Sequence, residues 1–356
     1  MKRLLAVLVV LMMALSMAAP AFAEETVMVG VAMPTQSLQR WNQDGEYLKA
    51  TLEAMGYEVM LTFSDNDATR QATDIENMLT AGCKVLVVAS IDGGTLGTVL
   101  ATAKEMGVPV IAYDRMIVDT DAVEYYVTFD NYNVGVIQGS FLVEALDLEN
   151  AEGPFNIEIV AGSPDDTNAG FFYNGAMDQV RPFIEAGKVI VPSGQIEFEV
   201  VGTPTWASAV AQARFENILS ANYAQGEVLD AVLCSNDSTA FGVITALQGA
   251  GFDEDNWPVI TGQDCDMPNM QYIVSGLQAM SVFKDTRTLA KEAAGMVDAF
   301  LKGEEIPFTD DETYNNNVQN MKTFICTPVF GSADNYVELL IDSGYYVIVD
   351  GEFTKP

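Results

Sequence analysis

The chain has 356 residues, with 50 Asp or Glu, 17 Lys or Arg and no His, for a formal charge of -33. Without an imidazole there is no Ser-His-Asp triad, no Cys-His dyad and no His-ligated metal site. So large a negative charge also disfavours nucleic acid and anionic lipid surfaces, which would repel it over roughly a Debye length of about 8 Å.

The elements read in chain order begin with an export signal. Lys2 and Arg3 precede the apolar run Leu4 to Met17, then Pro20 and Ala21-Phe22-Ala23, so residues 1–23 have the layout of a secretory signal cleaved before Glu24. The run falls short of the roughly 20 residues that span a bilayer, and no Cys is placed to carry a lipid anchor. The mature chain is expected to lie outside the inner membrane.

Short β-branched runs then recur: 27–31, 58–63, 85–89, 110–113 and 125–129, then 156–160, 197–201, 231–234, 259–261 and 280–283. Between them, 45–55, 73–80, 96–106, 209–219 and 239–250 carry apolar positions at helical spacing, several of them stopping at glycines such as Gly56, Gly82 and Gly107. Strands alternating with helices of this length predict parallel sheets covered on both faces, and two such sets predict two doubly wound α/β lobes. No Pro-, Ser- or Gln-rich tract separates them, so short ordered crossings should join the lobes. Four cysteines allow a disulfide; Cys234 and Cys265 end neighbouring predicted strands, although a domain of this size needs no staple.

In open α/β sheets ligands bind beyond the carboxyl ends of the strands, so the residues following each run are the candidates. They are Arg40 and Trp41 after the first, Asp114 and Arg115 after the fourth, the segment Gly162 to Asn168 after the sixth, Trp206 after the seventh, Asn236 after the eighth, Gly262-Gln263-Asp264 after the ninth and Lys284 after the tenth. Taken singly, Asp114-Arg115 reads as an ion pair, Asn236 as a helix N-cap and Trp206 as core. Taken together they combine carboxylates, guanidinium and ammonium groups, carboxamides and two indoles. Asp and Asn accept from hydroxyls, Arg and Lys donate to them, and an indole packs on the C-H face of a pyranose, so the set suits a neutral polyol ring.

Other motifs fail in context. Ser281 to Lys284 matches Ser-x-x-Lys but lies on a predicted strand with no Lys-Thr-Gly partner; Gly93 to Gly97 is not a dinucleotide fingerprint; Asp253-Glu254-Asp255 lacks the rest of an EF-hand loop. No catalytic constellation, cofactor or metal is expected.

The ordered markers Ala32-Met33-Pro34-Thr35, Arg40-Trp41, Asp74 to Met78, Ala112 to Arg115, Gly162 to Ala169, Ser235 to Asp237, Gly262 to Asp264 and Phe283 to Arg287 resemble the periplasmic sugar-binding proteins of ABC uptake systems. The likeness is to the ribose-binding type I superfamily, nearest its xylose-binding and multiple-monosaccharide-binding branch, and spans nearly all of the mature chain. It implies a three-crossing hinge near 130–133, 282–285 and 324–329, with lobes 24–131 plus 285–325 and 132–284 plus 326–356. It further implies sugar contact by Arg40, Trp41, Asp114, Arg115, Asn168, Trp206, Asn236, Asp264 and Lys284, with Trp41 and Trp206 facing each other across the ring. The implied role is capture of xylose, glucose or a similar aldose for an ABC permease, with a chemoreceptor or sensor kinase as the alternative partner. One departure is Gln36, where the multiple-sugar branch often has Lys; after Pro307 the likeness is looser and says little about ligand.

Overall fold

The computed structural model describes residues 26–356; the expected export signal, residues 1–23, lies outside them. The first sheet runs β2-β1-β3-β4-β5-β11, all parallel, from β1 (Met28–Met33), β2 (Glu58–Phe63), β3 (Val85–Val88), β4 (Val110–Tyr113), β5 (Tyr125–Phe129) and β11 (Lys322–Cys326). Period-two alternation sends its side chains to two cores. Val29, Val31 and Met33 pack under α1 (Gln39–Ala54) and α10 (Thr286–Lys302), through Leu48, Leu52, Leu289 and Val297. Ala32, Leu86 and Val88 pack under α2 (Ala68–Ala81) and α3 (Gly97–Glu105), through Ile75, Met78, Val99 and Leu100. Gly30 lets this layer pack closely, since a Cβ there would push the Met78 and Leu86 side-chain ends aside.

The second sheet runs β7-β6-β8-β9, also parallel, from β6 (Phe155–Val160), β7 (Val189–Ile190), β8 (Ala231–Cys234) and β9 (Val259–Ile260). A parallel bridge between Gln263 and Val282 extends it to β10 (Met280–Phe283), which pairs antiparallel with β12 (Val329–Ser332). One face is covered by α4 (Asn131–Ala145) and α5 (Thr167–Glu185), the other by α7 (Ser208–Asn222) and α8 (Asp237–Ala250). Gln138, reaching from α4, sets its carboxamide within 3.3 Å of the Cys234, Ser235 and Gly262 carbonyls and so pins the ends of β8 and β9 together. The chain passes between the sheets after β5, after β10 and after β11, and this is the type I periplasmic binding protein fold.

One expectation needs correction. Residues 198–201, expected as a strand from their alternating pattern, form one helical turn, α6 (Phe198–Val201), with Val201 N bonded to Glu197 O. The sheet edge is taken instead by β7, and the alternation of 197–201 serves packing: Phe198 lies on Tyr173 and Val201 is buried. The four cysteines are all free and buried, so Cys234 and Cys265 form no disulfide here. Beyond β12 the tail adds a six-residue π-helical turn (Val337–Asp342), β13 (Val347–Val349) and α9-facing β14 (Glu352–Thr354), where α9 is Met267–Val274; its Leu340, Tyr345, Tyr346 and Phe353 join a core with Cys265, Met270, Ile273 and Phe283.

Candidate functional site

All nine candidate residues line one cavity, between the strand ends of the two sheets, which holds about 400 Å³ of space not filled by atoms, part of it open to solvent. Asp166 and Gln263, from the expected strand-end segments 162–168 and 262–264, line it as well, as do Leu38, Phe172 and Asp266, which were not singled out from the sequence. Gln36 does not reach it: the residue is exposed and its carbonyl accepts from Asn42.

The first-sheet wall is built on Arg40. Its guanidinium gives two hydrogen bonds to Asp44 Oδ2, at 3.0 and 2.8 Å, and one to Asp114 Oδ2 at 3.0 Å. Tyr113 Oη donates to the other Asp44 oxygen at 2.5 Å. Burial disfavours the charged guanidinium, but Asp114, Asp44 and Asp264 outweigh it and Arg40 stays protonated. Burial opposes charge on Asp114 too, yet Arg40, Lys284 and Arg115 hold its carboxyl below the usual carboxylate range. Asp44 is pushed up to about 6 by burial, against the pull of Arg40. Asp114 adopts a left-handed backbone, φ 59°, fixed by its carbonyl, which Thr128 Oγ1 and Asn168 Nδ2 approach at 2.9 and 2.6 Å. The Arg40 and Arg115 guanidinium carbons lie 4.5 and 5.0 Å from the centroid of the Trp41 ring, within cation–π range.

The second-sheet wall hangs on Asp237, fully buried at the start of α8. Gln278 Nε2 and Ser281 Oγ donate to its Oδ1 at 2.7 and 2.9 Å, and the Asp266 amide donates to its Oδ2 at 2.8 Å. Burial raises the Asp237 carboxyl to about 7, opposed by Gln278 and reinforced by Asp264. Gly262 leaves room for this cluster, since a Cβ would overlap Asp237 Oδ1 and Gln278 Nε2. The chain then turns through Asp264 and Cys265, φ 98° and 51°, and the turn directs Asp264 and Asp266 into the cavity. Asn236 is the N-cap of α8, its Oδ1 accepting from Thr239 N at 3.0 Å, and it lines the cavity from that position. Trp206 covers Gly162, gives its Nε1 to Asp166 at 3.2 Å and meets Phe172 edge-on at 6.1 Å. Lys284 lies beside the crossing after β10, 3.1 Å from Asp264 Oδ1 and 5.4 Å from the Phe172 ring.

The walls touch directly. Asn168 donates to the Asp114 carbonyl and lies 3.0 Å from Tyr126 Oη; Arg115 Nε is 3.0 Å from Asp166 Oδ2 and Arg40 3.6 Å from Asp264. Five residues lining the cavity carry a buried side-chain polar atom without a hydrogen bond, as do Thr62, Asn131, Thr167 and Thr203 away from it, and the five cavity atoms divide by wall. On the first they are donors, Trp41 Nε1 and Arg115 Nε; on the second they are the acceptors Gln263 Oε1, Asp264 Oδ1 and Asp266 Oδ1. Arg115 Nε and Asp264 Oδ1 have ionic neighbours but no aligned hydrogen bond. Burial, then Asp264 and Asp237, push the Asp266 carboxyl well above the usual range.

Residues 29–305 match the profile of the periplasmic binding protein domain. The chain belongs to the periplasmic binding protein family. Among relatives of this binding protein, the multiple sugar-binding periplasmic receptor ChvE of Rhizobium radiobacter is 46% identical over 330 residues, covering 92% of this chain and 93% of that protein. The D-xylose-binding periplasmic protein of Escherichia coli K12 is 32% identical, covering 90% and 91%. An ABC transporter solute-binding protein from Clostridium phytofermentans, solved with bound β-D-glucose, superposes with a TM-score of 0.88 at 54% identity, covering 90% of this chain and 98% of that one.

Proposed function

We propose that this periplasmic binding protein is exported, binds one neutral aldose, glucose, xylose or a similar monosaccharide, between its two sheets, and delivers it to the permease of an ABC transporter. The single observation that carries the reading is that, among the cavity-lining residues, the buried atoms making no hydrogen bond are N–H groups on the first wall, Trp41 and Arg115, and oxygens on the second, Gln263, Asp264 and Asp266, of which only Arg115 and Asp264 have an ionic neighbour. A buried polar atom without a partner costs roughly 1–3 kcal/mol, and a ring bearing several hydroxyls supplies both kinds of partner at once. The relatives' sugar ligands support the same occupant. In this reading Arg40, Trp41, Asp114, Arg115 and Lys284 serve the sugar from the first lobe and its hinge, and Asn168, Trp206, Asn236 and Asp264 from the second. The lobes are 24–131 with 285–325 and 132–284 with 326–356. Because the ligand touches both, it favours the closed arrangement, as a ligand shifts an equilibrium only through differential contacts. The closed form is the form a permease would recognise; presentation to a chemoreceptor or sensor kinase uses the same closure.

Thermal unfolding of the chain from Glu24 against a panel of aldopentoses and aldohexoses tests this, since a ligand of the folded state raises stability by RT ln(1 + [L]/Kd). One or a few monosaccharides should raise the transition and the rest should not. A folded protein that no sugar stabilises would refute the assignment.

A further inference from the structure

Tyr345 and Tyr346 belong to the tail that follows residue 305, beyond the stretch matched by the family profile, and both are fully buried. Their rings pack in the second-sheet core with Cys265, Met270, Ile273 and Phe283. Their hydroxyls point the other way, onto α1. Tyr346 Oη accepts from Gln39 Nε2 at 2.7 Å and from Gln43 Nε2 at 3.2 Å and donates to the Cys265 carbonyl at 3.0 Å, so its one proton and two lone pairs are all used. Gln39 Oε1 accepts from the Met267 amide at 3.1 Å, and Gln43 Oε1 from Tyr345 Oη at 3.2 Å. Gln39 and Gln43 are one turn apart on one face of α1.

The chain neighbours of these groups give the network its meaning. Gln39 adjoins Arg40 and Trp41 of the first wall, while Cys265 and Met267 flank Asp264 and Asp266 of the second. We infer that Gln39, Gln43, Tyr345 and Tyr346 form a clasp: positioning residues that touch no ligand but fix the first turn of α1 against the loop 264–267 when the cleft is closed. The inference rests on the sugar-binding reading for its ligand, though not for its geometry. The clasp makes closure partly intrinsic to the chain, and a ligand then needs to supply only the remainder.

The test is Tyr346→Phe, which keeps the buried ring and removes only the hydroxyl, beside Gln39→Met and the double variant. Glucose dissociation and association rates are read from the fluorescence of the cavity tryptophans, and X-ray scattering gives the radius of gyration of the ligand-free protein. Tyr346→Phe leaves two carboxamide donors and a carbonyl unpartnered in the closed form, so the dissociation rate should rise roughly 5- to 30-fold with association changed by less than about threefold. The ligand-free radius should increase. The double variant should do little more than either single one, as expected for residues in one network. If the tail only packs, Tyr346→Phe lowers the unfolding temperature while dissociation rate and scattering stay as in the wild type, and the clasp is refuted. If the wild type binds no aldose at all, the functional reading fails, and the scattering comparison alone still decides the clasp.

Discussion

The two walls of the cavity solve the burial of charge in opposite ways. On the first sheet hydrogen bonds join Arg40, Asp44, Asp114 and Tyr113 into one cluster that borders the cavity. On the second sheet the completed cluster is one layer back, around Asp237, and the carboxylates it supports, Asp264 and Asp266, each present an oxygen with no hydrogen bond. The buried groups without hydrogen bonds are N–H groups on the first wall and oxygens on the second, so a ligand bearing several hydroxyls can complete both. Because the first wall's cluster itself borders the cavity, charge removed from it should cost fold stability as well as affinity, and charge removed from the second wall mainly affinity.

The largest expected effect is Asp264→Asn, which takes the carboxylate from Lys284 and Arg40 while keeping its shape. Truncating one member of a buried charged set costs about 2–5 kcal/mol, so aldose affinity should fall by roughly 30-fold to over 1,000-fold in calorimetric titration, with a small change in the ligand-free unfolding temperature. Asp114→Asn is the counterpart on the other wall. It should weaken binding comparably and also lower the unfolding free energy by about 1–3 kcal/mol, because the buried Arg40 loses the charge of one of its ionic partners. Equal effects of the two variants on the ligand-free protein would erase the distinction between the walls.

Gly162→Ala comes next. The added methyl overlaps the Trp206 ring, which must swing from its place beside Phe172, and overpacking of this kind costs about 1–3 kcal/mol. Affinity should fall by about tenfold; unchanged binding would exclude Trp206 from contact with the ligand.

The smallest effect concerns pH. Asp44 and Asp237 titrate in the folded protein near 6 and 7, above the ordinary carboxylate value, and Asp266 is also raised. The folded state therefore binds more protons than the unfolded chain between about pH 4 and 7, and the stability these groups contribute is lost as pH rises through 6 to 7. Chemical denaturation of the ligand-free protein should show higher stability at pH 5.5 than at pH 7.5. A lower value at pH 5.5 would mean that these buried carboxyls are held ionised.

Much of this architecture is legible in the sequence, and the exceptions have physical causes. Each strand is a short apolar run, and the residue just past it is forced to the sheet's carboxyl edge, so Asp114, Asn236, Asp264 and Lys284 could be placed from spacing alone. Trp41 and Arg40 follow because α1 begins at Gln39, directly beyond the loop after β1. Phe172 escaped notice because it lies inside α5, although its position four residues after Asn168 puts both on one helical face. Asp266 escaped because only the positive φ at Asp264 and Cys265 turns it back toward the cavity, and neither residue type announces that turn. At residues 197–201 a strand-like alternation folded as a helical turn, since five residues of pattern are too few to outweigh tertiary packing. The clasp was invisible for a different reason: more than 300 residues separate Gln39 and Gln43 from the tyrosines that complete them.

The most direct test of the account is a crystal structure of the chain with D-glucose or whichever aldose stabilises it. The account predicts one sugar between the sheets, with hydroxyls hydrogen-bonded to Asp264 and to Gln263 or Asp266 on one side and to Arg115 or Trp41 on the other. A sugar bound elsewhere, or held by one wall alone with the opposite wall's buried atoms still unpartnered, would contradict it.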